Sequence, residues 1–459
     1  MSALSGASRR PTLGSDDFPQ RLIAWQLKHG RRDLPWQGTR DAYRIWIAEV
    51  MLQQTQVAAA RGYYTRFLAR FPDLQTLAGA SLDEVLAMWS GLGYYRRARM
   101  LHACAIEVQH RHAGRFPQDP AILRKLPGIG RSTAAAIAVF AYDKRAAILD
   151  GNVRRVLSRF FALESGPRPA QTERELWALA ESLVSTLPDD TGDAKGNEGS
   201  GWCERSESVK PSAIATYTQA LMDLGATRCT PRRPLCSECP LAIACKAYRG
   251  GEVTRYPQVA PRPFLATRRW VLLLVQWQGQ ILLEKRPERG IWASLWSLPE
   301  LHFNALPPGA AGFALVDSDG PDRDPTQARA VVRHWLLERG LISEKDVGFK
   351  LSQTIVIEQS FSHFRLSAPL WEIELACESL NPGAFRAQEA MEPDRSPESA
   401  TGFAAEPDLG YSRRSARSSA TLRRWVQAPE ALAMGIPAVL RKLLLAKTGG
   451  HAAVPAPQP

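Results

Sequence analysis

The sequence lacks the features of several protein classes. No apolar run reaches the roughly 18 residues that a transmembrane helix needs. The N-terminal stretch MSALSGASRRPTLGSDD has neither a continuous apolar core nor an evident cleavage site, so we expect no secretory signal and a cytoplasmic protein. No G-x-G-x-x-G motif lies between a predicted strand and a predicted helix, which argues against a flavin or nicotinamide cofactor.

Acidic side chains are outnumbered by basic ones. The 459 residues include 46 Asp and Glu against 58 Lys and Arg, for a formal net charge of +12. This balance favours a polyanionic partner, with nucleic acid as the first candidate. A charge that only aids solubility remains an open alternative. With 45% hydrophobic and 23% charged residues, the composition is that of an ordinary globular protein.

The length and the change of pattern along the chain predict more than one domain. Apolar residues recur at helical spacing from about 18 to 228. Further on, WVLLLVQWQGQILLEKRP (270–287) predicts two strands joined at Gly279, followed by a helix at 327–341 and more strands. The predicted segments are a flexible tail (1–17), a helical domain (18–228) with a polar insertion (188–210), a cysteine loop (229–245), a linker (246–263), an α+β domain (264–445) with a disordered insertion (378–420), and a second tail (446–459).

Cysteine usage is uneven. Three of the seven cysteines are scattered, whereas four occur within seventeen residues as C-x6-C-x2-C-x5-C. Zinc sites usually contain two close pairs, and only one close pair is present here. The spacing therefore favours an iron–sulfur cluster with one cysteine per iron, and zinc stays the alternative. We expect the cluster to fix a loop rather than to transfer electrons. The four predicted ligands are Cys229, Cys236, Cys239 and Cys245.

A glycine-containing turn stands at 126–137, in the sequence LPGIGRSTAAAI. We expect a short helix to run to Leu126 and to end at Pro127, and a second helix to begin near Arg131. Gly128 and Gly130 permit the backbone angles of a tight turn. Free N–H groups at the start of the second helix can hold a DNA phosphate, as in a helix–hairpin–helix motif. An ordinary helix connection is the alternative.

These features occur together in a known family. The turn, Asp150 downstream of it and the four-cysteine loop resemble the helix–hairpin–helix DNA glycosylases that carry an iron–sulfur cluster. Further stretches narrow the resemblance to the MutY-type adenine DNA glycosylases, which remove adenine mispaired with 8-oxoguanine, over roughly 20–375 of the chain. These stretches are LPW (34–36), IWIAEVMLQQTQV (45–57), GLGYYRRAR (91–99), ILDGNVRRV (148–156) and QALMDLGA (219–226).

The resemblance implies a multidomain protein. Its fold would combine an all-α helix–hairpin–helix glycosylase domain, an iron–sulfur cluster loop and an α+β Nudix-like C-terminal domain. The implied cofactor is a [4Fe–4S] cluster. The implied partner is double-stranded DNA that contains adenine opposite 8-oxoguanine or guanine. We further expect a DNA-associated monomer without membrane contact, acting in base excision repair.

Two carboxylates would share the chemistry of breaking an N-glycosidic bond. Glu49 is flanked at helical spacing by Ile45, Trp46 and Leu52, and desolvation there would raise its pKa. By resemblance, Glu49 donates a proton to a ring nitrogen of adenine. Asp150 would stay ionised and stabilise the positive sugar, and Asn152 resembles the family residue that hydrogen-bonds this carboxylate. An exposed helix glutamate is the alternative for Glu49.

Ser132 indicates which reaction follows. Bifunctional relatives carry a lysine at this point of the motif, and its amine attacks C1′ to form a Schiff base and cut the strand. A serine cannot form that imine. We therefore expect a monofunctional enzyme that removes the base with water and cleaves little DNA.

The target base must leave the helical stack before it can react. By resemblance, Gln54 and Tyr94 wedge beside the opposite 8-oxoguanine, while Trp36 and Gln219 line the adenine pocket. The basic stretch 96–99, directly after the aromatic pair, suits DNA. A place in the hydrophobic core is the alternative for Tyr94.

The second domain resembles the Nudix fold without its catalytic metal site. A working Nudix helix needs several glutamates to bind magnesium. In RHWLLERGL (333–341), His334 and Leu337 replace two of them and only Glu338 remains. Hydrolysis of nucleotides by this domain is therefore not expected.

The family uses this domain to read 8-oxoguanine instead. The matching segment is FSHF at 361–364, whose Ser362 and His363 can hydrogen-bond a base edge. A strand end without a role is the alternative for this segment. For the whole chain the alternatives are an endonuclease III-like pyrimidine lyase, which Ser132 and the second domain disfavour, and a non-catalytic iron–sulfur protein.

Overall fold

The computed structural model describes most of the chain. The predicted tails lie largely, and the two predicted insertions almost entirely, outside the described residues. The described ranges are 17–164, 169–188, 211–258, 264–301, 325–344, 348–376 and 422–448.

The described residues form two compact units. The first contains the chain up to Ala80 and resumes from Arg96 to 258. The second contains Ser81–Tyr95 together with the described residues from 264 onward. The sequence boundaries did not anticipate this grouping of Ser81–Tyr95.

Helices build the first unit. Among the described helices none is long and apolar enough to cross a membrane. In chain order the helices are α1 (Phe18–His29), α2 (Ala42–Leu52), α3 (Val57–Arg70), α4 (Leu74–Gly79), α5 (Leu82–Trp89, in the second unit), α6 (Arg96–Arg111), α7 (Pro120–Leu123), α8 (Arg131–Tyr142), α9 (Gly151–Phe161), α10 (Pro169–Ser185), α11 (Ala213–Thr227) and α12 (Lys246–Arg249).

The hydrophobic core of the first unit holds in place the helices that carry predicted site residues. In one hydrophobic cluster, apolar residues of α1 and α8 pack with those of α9, α10 and α11, and Phe18 meets Phe160 edge to face at 4.7 Å. Helix α2 is buried over most of its length and starts at Asp41, whose carboxylate accepts a hydrogen bond from the Tyr43 N–H at 2.8 Å. Because α2 is held on nearly all sides, Glu49 has a fixed position in the unit.

The helix–hairpin–helix motif is present, with a shorter first helix than predicted. Helix α7 ends at Leu123 rather than Leu126, because the next residues make short-range turn bonds, such as Lys125 N–H to the Ile122 carbonyl at 3.0 Å. Helix α8 begins at Arg131, as predicted. Gly128 has φ +72°, and a Cβ at this position would lie 2.7 Å from the Met100 Cβ, so both the angle and the space require glycine.

A mixed sheet builds the second unit. Strand β7 runs parallel to β1 and β2 and antiparallel to β6, and β3 is antiparallel to β2, β4 and β8. The elements are β1 (Ala266–Arg269), β2 (Val271–Trp277), β3 (Gln280–Lys285), β4 (Trp296–Ser297), β5 (Glu300–Leu301), α13 (Pro325–Glu338), β6 (Phe349–Ser360), β7 (Phe364–Leu375), β8 (Arg423–Val426), α14 (Ala428–Ala433) and α15 (Ala438–Lys447).

The alternation along β2 explains why helices cover both faces of the sheet. Leu272 and Leu274 belong to a cluster that includes residues of α14 and α15. Val271 and Leu273 belong to another cluster, which includes residues of α13. Successive side chains of a strand point to opposite faces, so a continuous apolar run predicts a strand buried on both sides. The predicted α+β Nudix-like fold is confirmed.

Helix α5 packs within the second unit. The Asp83 carboxylate pairs with the Lys285 ammonium group and accepts a hydrogen bond from Trp296 Nε1 at 3.3 Å. The Ile436 carbonyl accepts two hydrogen bonds, from the Ser90 hydroxyl at 3.1 Å and from the Tyr95 hydroxyl at 2.9 Å. The loop that carries Tyr94 is therefore anchored inside this unit.

Candidate active site and cluster loop

Glu49 occupies the C-terminal half of α2 and is half-buried. Loss of solvent around its carboxyl group raises its pKa to about 8, and the negative charge of Asp150 contributes in the same direction. Among the described residues Glu49 has no hydrogen-bond or ion-pair partner. A carboxyl group in this position holds a proton at neutral pH, as the apolar neighbours in the sequence predicted.

Asp150 lies at the N-cap of α9 and is also half-buried. The pKa of Asp150 is raised, because the effect of burial outweighs the lowering by the backbone N–H groups of Val153 and Asn152 and by the positive charge of Arg155. The Val153 N–H donates to Asp150 Oδ1 at 2.7 Å. The helix start therefore supplies hydrogen bonds to the charged form of Asp150, and Glu49 has none of these.

Asn152 hydrogen-bonds the Asp150 carboxylate through its backbone N–H, whereas its side chain bonds elsewhere. Among the described residues the side chain makes no hydrogen bond with Asp150; its Oδ1 accepts one from Arg155 Nη2 at 2.8 Å. A Cβ on Gly225 would lie 2.6 Å from the Asn152 Cβ, so α11 packs closely on this residue.

Arg155 was missed by the sequence reasoning. Its guanidinium donates to the Gly225 carbonyl at 2.7 Å and, through Nε, to the Cys229 carbonyl at 2.7 Å. It therefore ties the start of α9 to the end of α11 and to the cysteine loop. No local pattern could have singled it out from the neighbouring Arg154, because both partners lie about seventy residues away along the chain.

Ser132 lies in the first turn of α8 and faces the segment before Asp150. Its hydroxyl oxygen accepts a hydrogen bond from the Leu149 N–H at 3.1 Å. The helix–hairpin–helix motif is thus joined directly to the residue preceding the candidate nucleophile or stabiliser. Gly130 forms the N-cap of α8 without a side-chain cap, and a Cβ there would meet nothing within 4 Å. The backbone at this helix start is open to a phosphate.

Gln54 and Tyr94, the predicted wedge residues, share an unusual backbone. Both are exposed, with Tyr94 54% accessible, and both have positive φ angles, 55° for Gln54 and 50° for Tyr94. Left-handed angles at side-chain-bearing residues are costly and tend to occur at functional sites. This conformation presents each side chain from a fixed turn rather than from a helix face.

Arg97, from the basic stretch expected to meet DNA, is used inside the protein. Its Nη1 donates to the carbonyls of Val50 at 3.0 Å and Met51 at 2.9 Å, and it also contacts the Gln53 carbonyl. These are the unpaired carbonyls at the end of α2. Arg97 therefore terminates the helix that carries Glu49 and fixes the turn at Gln54.

The predicted pocket residues are both half-buried and lie in the first unit. Trp36 packs edge to face on Tyr64, with ring centroids 5.4 Å apart. Gln219, on α11, donates from Nε2 to Asp223 Oδ1 at 3.0 Å.

The four predicted cysteine ligands line one cavity. Arg159, Arg228 and Leu235 also line it, and three of the cysteines pack on the core of the first unit. Within the described ranges no three His, Cys, Asp or Glu side chains are close enough to share a single metal ion. A cluster with one cysteine per iron does not require its sulfur atoms to converge on one point, so these residues fit such a cluster.

Arg159 is the second residue that the sequence reasoning missed. It is 2% exposed, and its guanidinium donates to the carbonyls of Thr230 at 2.7 Å, Pro231 at 3.0 Å and Tyr256 at 2.9 Å. Its Nη1 also lies 3.4 Å from Cys229 Sγ. A buried cation against the cysteines fits an anionic cluster.

In the second unit, Ser362 and His363 occupy the turn between β6 and β7. Both are exposed, and the Ser362 hydroxyl lies 3.1 Å from His363 Nε2. On α13, the Glu338 carboxylate is paired with His334 at 3.2 Å. Glu338, the one glutamate that remains of the Nudix pattern, is thus paired with His334, which stands where the pattern has another glutamate.

Three stretches of the chain match known families. Residues 47–182 match HhH-GPD superfamily base excision DNA repair proteins, and residues 229–242 match the iron–sulfur binding domain of endonuclease III. Residues 270–446 match the NUDIX domain. With the helix–hairpin–helix motif, the half-buried acid and the cysteine cavity, these matches define an iron–sulfur DNA glycosylase of base excision repair.

Similar proteins narrow the class. The adenine DNA glycosylase of Buchnera aphidicola subsp. Schizaphis graminum is 35% identical over 282 residues, covering 61% of this chain and 74% of its own. Those of Mus musculus and Homo sapiens are 36% and 34% identical, and each aligns with 62% of this chain and with 60% and 57% of its own length. The chain belongs to the adenine DNA glycosylase family.

The predicted activity and cofactor are confirmed at this level. The protein is a hydrolase that cleaves the N-glycosidic bond of adenine in DNA. Its partner is DNA, and its cofactor is a [4Fe–4S] cluster. The match to the iron–sulfur domain ends at residue 242, and Cys245 lines the same cavity just beyond it.

Proposed function

We propose that this glycosylase removes adenine paired with 8-oxoguanine or guanine, by monofunctional hydrolysis, as a monomer on double-stranded DNA. The observation that carries the chemistry is the contrast between Glu49 and Asp150. The pKa of Glu49 is raised to about 8 beside an aspartate whose charged form accepts backbone hydrogen bonds. Such a pair divides acid and anion between two residues with the same functional group.

Glu49 acts as the general acid. In neutral solution it carries the proton that a ring nitrogen of adenine needs. As this proton is transferred, the bond between C1′ and N9 breaks and its electron pair leaves with the neutral base. The sugar is left as an oxocarbenium ion, and Glu49 becomes a carboxylate.

Asp150 stabilises that cation from the start of α9. The positive charge of Arg155 offsets the negative charge of Asp150 only in part. The Arg155 guanidinium also donates hydrogen bonds to Asn152 Oδ1 and to the Gly225 carbonyl. Water then adds to C1′ and gives up a proton to the Glu49 carboxylate, which leaves an abasic site and restores the acid. Ser132 holds Leu149 next to Asp150 and offers no amine, so no Schiff base forms and the strand stays intact.

DNA is held at several points. The backbone N–H groups after Gly128 and Gly130 bind a phosphate. Gln54 and Tyr94, each exposed in its own unit, remain the residues expected to wedge beside the opposite 8-oxoguanine. Trp36 and Gln219 line the pocket that receives the base. The positive net charge of the chain supports binding to the duplex.

The cluster fixes the loop rather than taking part in the reaction. Cys229, Cys236, Cys239 and Cys245 would hold it, and one cluster then cross-links the whole loop through four bonds. Arg159 donates to the Cys229 sulfur and to loop carbonyls, which keeps the loop on α9.

In the second unit, the turn at Ser362 and His363 reads the opposite base. A hydroxyl and an imidazole side by side on an exposed turn can donate to and accept from a base edge. Recognition of 8-oxoguanine by this turn would let the enzyme distinguish 8-oxoguanine from guanine in the opposite strand, which the adenine pocket cannot do.

The test is a single-turnover assay on duplexes that pair adenine with 8-oxoguanine, guanine or thymine. We expect the fastest release opposite 8-oxoguanine, slower release opposite guanine and the slowest opposite thymine, with no nicking in a parallel gel. Sedimentation of the protein bound to one duplex should show one copy. Equal rates opposite all three bases, or nicking that keeps pace with base release, would contradict the proposal.

Replacing Ser362 and His363 together with alanine should lower the preference for 8-oxoguanine over guanine by roughly tenfold, because two hydrogen bonds to the base are lost. The matched control is Ser352→Ala, an exposed serine elsewhere on β6. An unchanged preference in the double variant would remove this turn from the recognition of 8-oxoguanine.

A further inference from the structure

The segment Ser81–Tyr95, called the α5 segment below, leaves the first unit and returns to it. The chain before and after it belongs to the first unit, whereas the segment itself packs with the described residues from 264 onward. The Ala80 carbonyl accepts a hydrogen bond from His102 Nε2 of α6 at 2.9 Å, and α6 begins at Arg96. The segment therefore starts and ends beside the same helix. The proposed chemistry does not explain why it belongs to the second unit.

Close packing fixes the α5 segment in the second unit. Leu86 and Trp89 are completely buried. A Cβ added to Gly435 would lie 2.8 Å from the Leu86 Cβ and 3.1 Å from the Leu86 carbonyl carbon. The φ angle of Gly435 is not in the left-handed region, so it is the lack of space, and not the backbone angle, that requires glycine here.

The Tyr95 hydroxyl joins the loop before Tyr94 to the rest of the second unit. It donates a hydrogen bond to the Ile436 carbonyl at 2.9 Å and accepts one from the Gly91 N–H at 3.2 Å. A hydroxyl group can donate and accept at the same time, so one oxygen atom bridges the two segments. The Ser90 hydroxyl donates to the same carbonyl at 3.1 Å. Both side chains are buried, which shelters these bonds from water.

The loop is also braced from within. Trp89 Nε1 donates to the Gly93 carbonyl at 3.1 Å, and the Leu92 N–H donates to the Trp89 carbonyl at 3.0 Å. Tyr94 follows with its positive φ of 50°, a conformation that persists only where the surrounding structure holds it. The second unit thus presents an exposed aromatic side chain from an anchored loop.

We propose that Tyr95 is a positioning residue that fastens the wedge residue Tyr94 to the second unit, so that the unit proposed to read the opposite base also carries a wedge beside it. The proposal rests on the proposed wedge role of Tyr94. A side chain can help to open a stacked pair only if the backbone that supports it does not yield. The bond from Tyr95 to the Ile436 carbonyl supplies that support.

This arrangement divides the proposed roles between the two units. Tyr94 and the turn at 362–363, both proposed to meet the opposite base, belong to the second unit. Glu49 and Asp150, proposed to act on the adenosine, belong to the first unit, as does Gln54. Because Tyr94 and the turn share one unit, a bound opposite base would find the wedge at a set distance from the turn.

The test follows the opening of the stack apart from the chemistry, in full-length, cluster-loaded protein. In the duplex, 2-aminopurine stands next to an adenine paired with 8-oxoguanine, and its fluorescence rises when the neighbouring base leaves the stack. Stopped flow gives the rate of this rise, and single-turnover release of adenine is measured on the same duplex. Tyr95→Phe removes the bridging hydroxyl, and Gly435→Ala crowds Leu86 from a distant part of the chain.

Two matched controls make the same substitutions elsewhere. Tyr142→Phe loses a hydroxyl that donates to the Phe116 carbonyl at 2.9 Å in the first unit. Gly348→Ala adds a Cβ that would lie 3.3 Å from the Ala376 Cβ in the second unit, away from the α5 segment. Cluster absorbance and thermal unfolding are recorded for every protein.

We expect Tyr95→Phe to slow the opening of the stack by roughly tenfold, because two hydrogen bonds that hold the loop are lost. Gly435→Ala should also slow it, although residue 435 is far from Tyr94 along the chain. Both controls should keep the rate of the wild type even where they lower thermal stability.

A double variant separates positioning from stability. If Tyr95 acts through Tyr94, Tyr95→Phe should slow the opening by no more than about twofold in a Tyr94→Ala background, because the wedge is then already missing. A role in folding alone would give the same loss in both backgrounds.

An opening rate equal to that of the wild type in Tyr95→Phe, or an equal loss with and without the Tyr94 side chain, would overturn the proposal. If Gly435→Ala does not fold, Tyr95→Phe and the double variant still decide. Unchanged opening in Tyr94→Ala would refute the wedge role itself, on which the proposal rests. A failed acid role for Glu49 would lower the release of adenine without changing the rate of opening.

Discussion

The two carboxyl groups of the proposed reaction, those of Glu49 and Asp150, lie in different positions along their helices. Glu49 projects from the buried C-terminal half of α2, where no described residue donates a hydrogen bond to it. Asp150 caps the start of α9, where the Val153 N–H donates at 2.7 Å. Both groups are half-buried, and burial raises the pKa of each.

The difference shows how one functional group serves as acid or as anion. Without donors, burial leaves the proton on Glu49 and gives a pKa of about 8. At a helix start, N–H groups and the helix dipole favour the charged carboxylate and oppose the effect of burial. Position along a helix therefore assigns the two roles. The Asp150 charge then raises the pKa of Glu49 further, so the roles are coupled.

The largest effect should come from Glu49→Gln, which removes the proton and keeps the shape. Adenine release should fall by about 10³-fold, the usual contribution of a general acid, while duplex affinity is retained because the protonated glutamate is also neutral. Single-turnover rates and a binding titration check this. Turnover equal to that of wild type would remove the acid role from Glu49.

A smaller loss is expected for Asp150→Asn. Asparagine still accepts the Val153 N–H, so α9 keeps its cap, but the charge that stabilises the sugar cation is lost. The rate should fall by about 10²-fold. The pKa of Glu49 should also move down, because the Asp150 charge helps to raise it. A pH profile that keeps its position in this variant would show that the two carboxyls are not coupled.

Ser132→Lys should slow adenine release the least of the three substitutions. It should also gain a new activity, formation of a Schiff base with the sugar. The hydrogen bond to the Leu149 N–H disappears, which should slow release by roughly tenfold or less. The new amine should form a Schiff base that borohydride traps. Ser132→Ala separates the effects, since it loses the hydrogen bond without gaining the amine. Equal trapping in wild type and Ser132→Lys would contradict the monofunctional assignment.

Local patterns in the sequence were enough for several parts of the molecule. Apolar residues at helical spacing indicated the desolvated setting of Glu49, and Ile45 and Trp46 are indeed buried. The apolar run interrupted at Gly279 predicted the hairpin of β2 and β3, whose turn has positive φ at Gln278 and Gly279. These features depend on residues that are neighbours in the chain.

Other parts depend on partners far apart in the chain and could not be read in this way. Arg155, Arg159 and Asp223 are each bonded to residues at least seventy positions away. Arg97 looked like a DNA contact because of its basic neighbours, yet it terminates α2. The Asn152 side chain accepts a hydrogen bond from Arg155 while its backbone N–H serves Asp150, a division that no motif reports.

The most direct test of the account is the pH dependence of adenine release by the wild type under single-turnover conditions, from about pH 6 to about pH 10. Protonated Glu49 is the active form, so the rate should be constant below about 8 and fall tenfold per pH unit above it. The fall should be absent from the residual rate of Glu49→Gln. A rate that stays level or rises through about pH 9 would contradict the assignment of Glu49 as the acid.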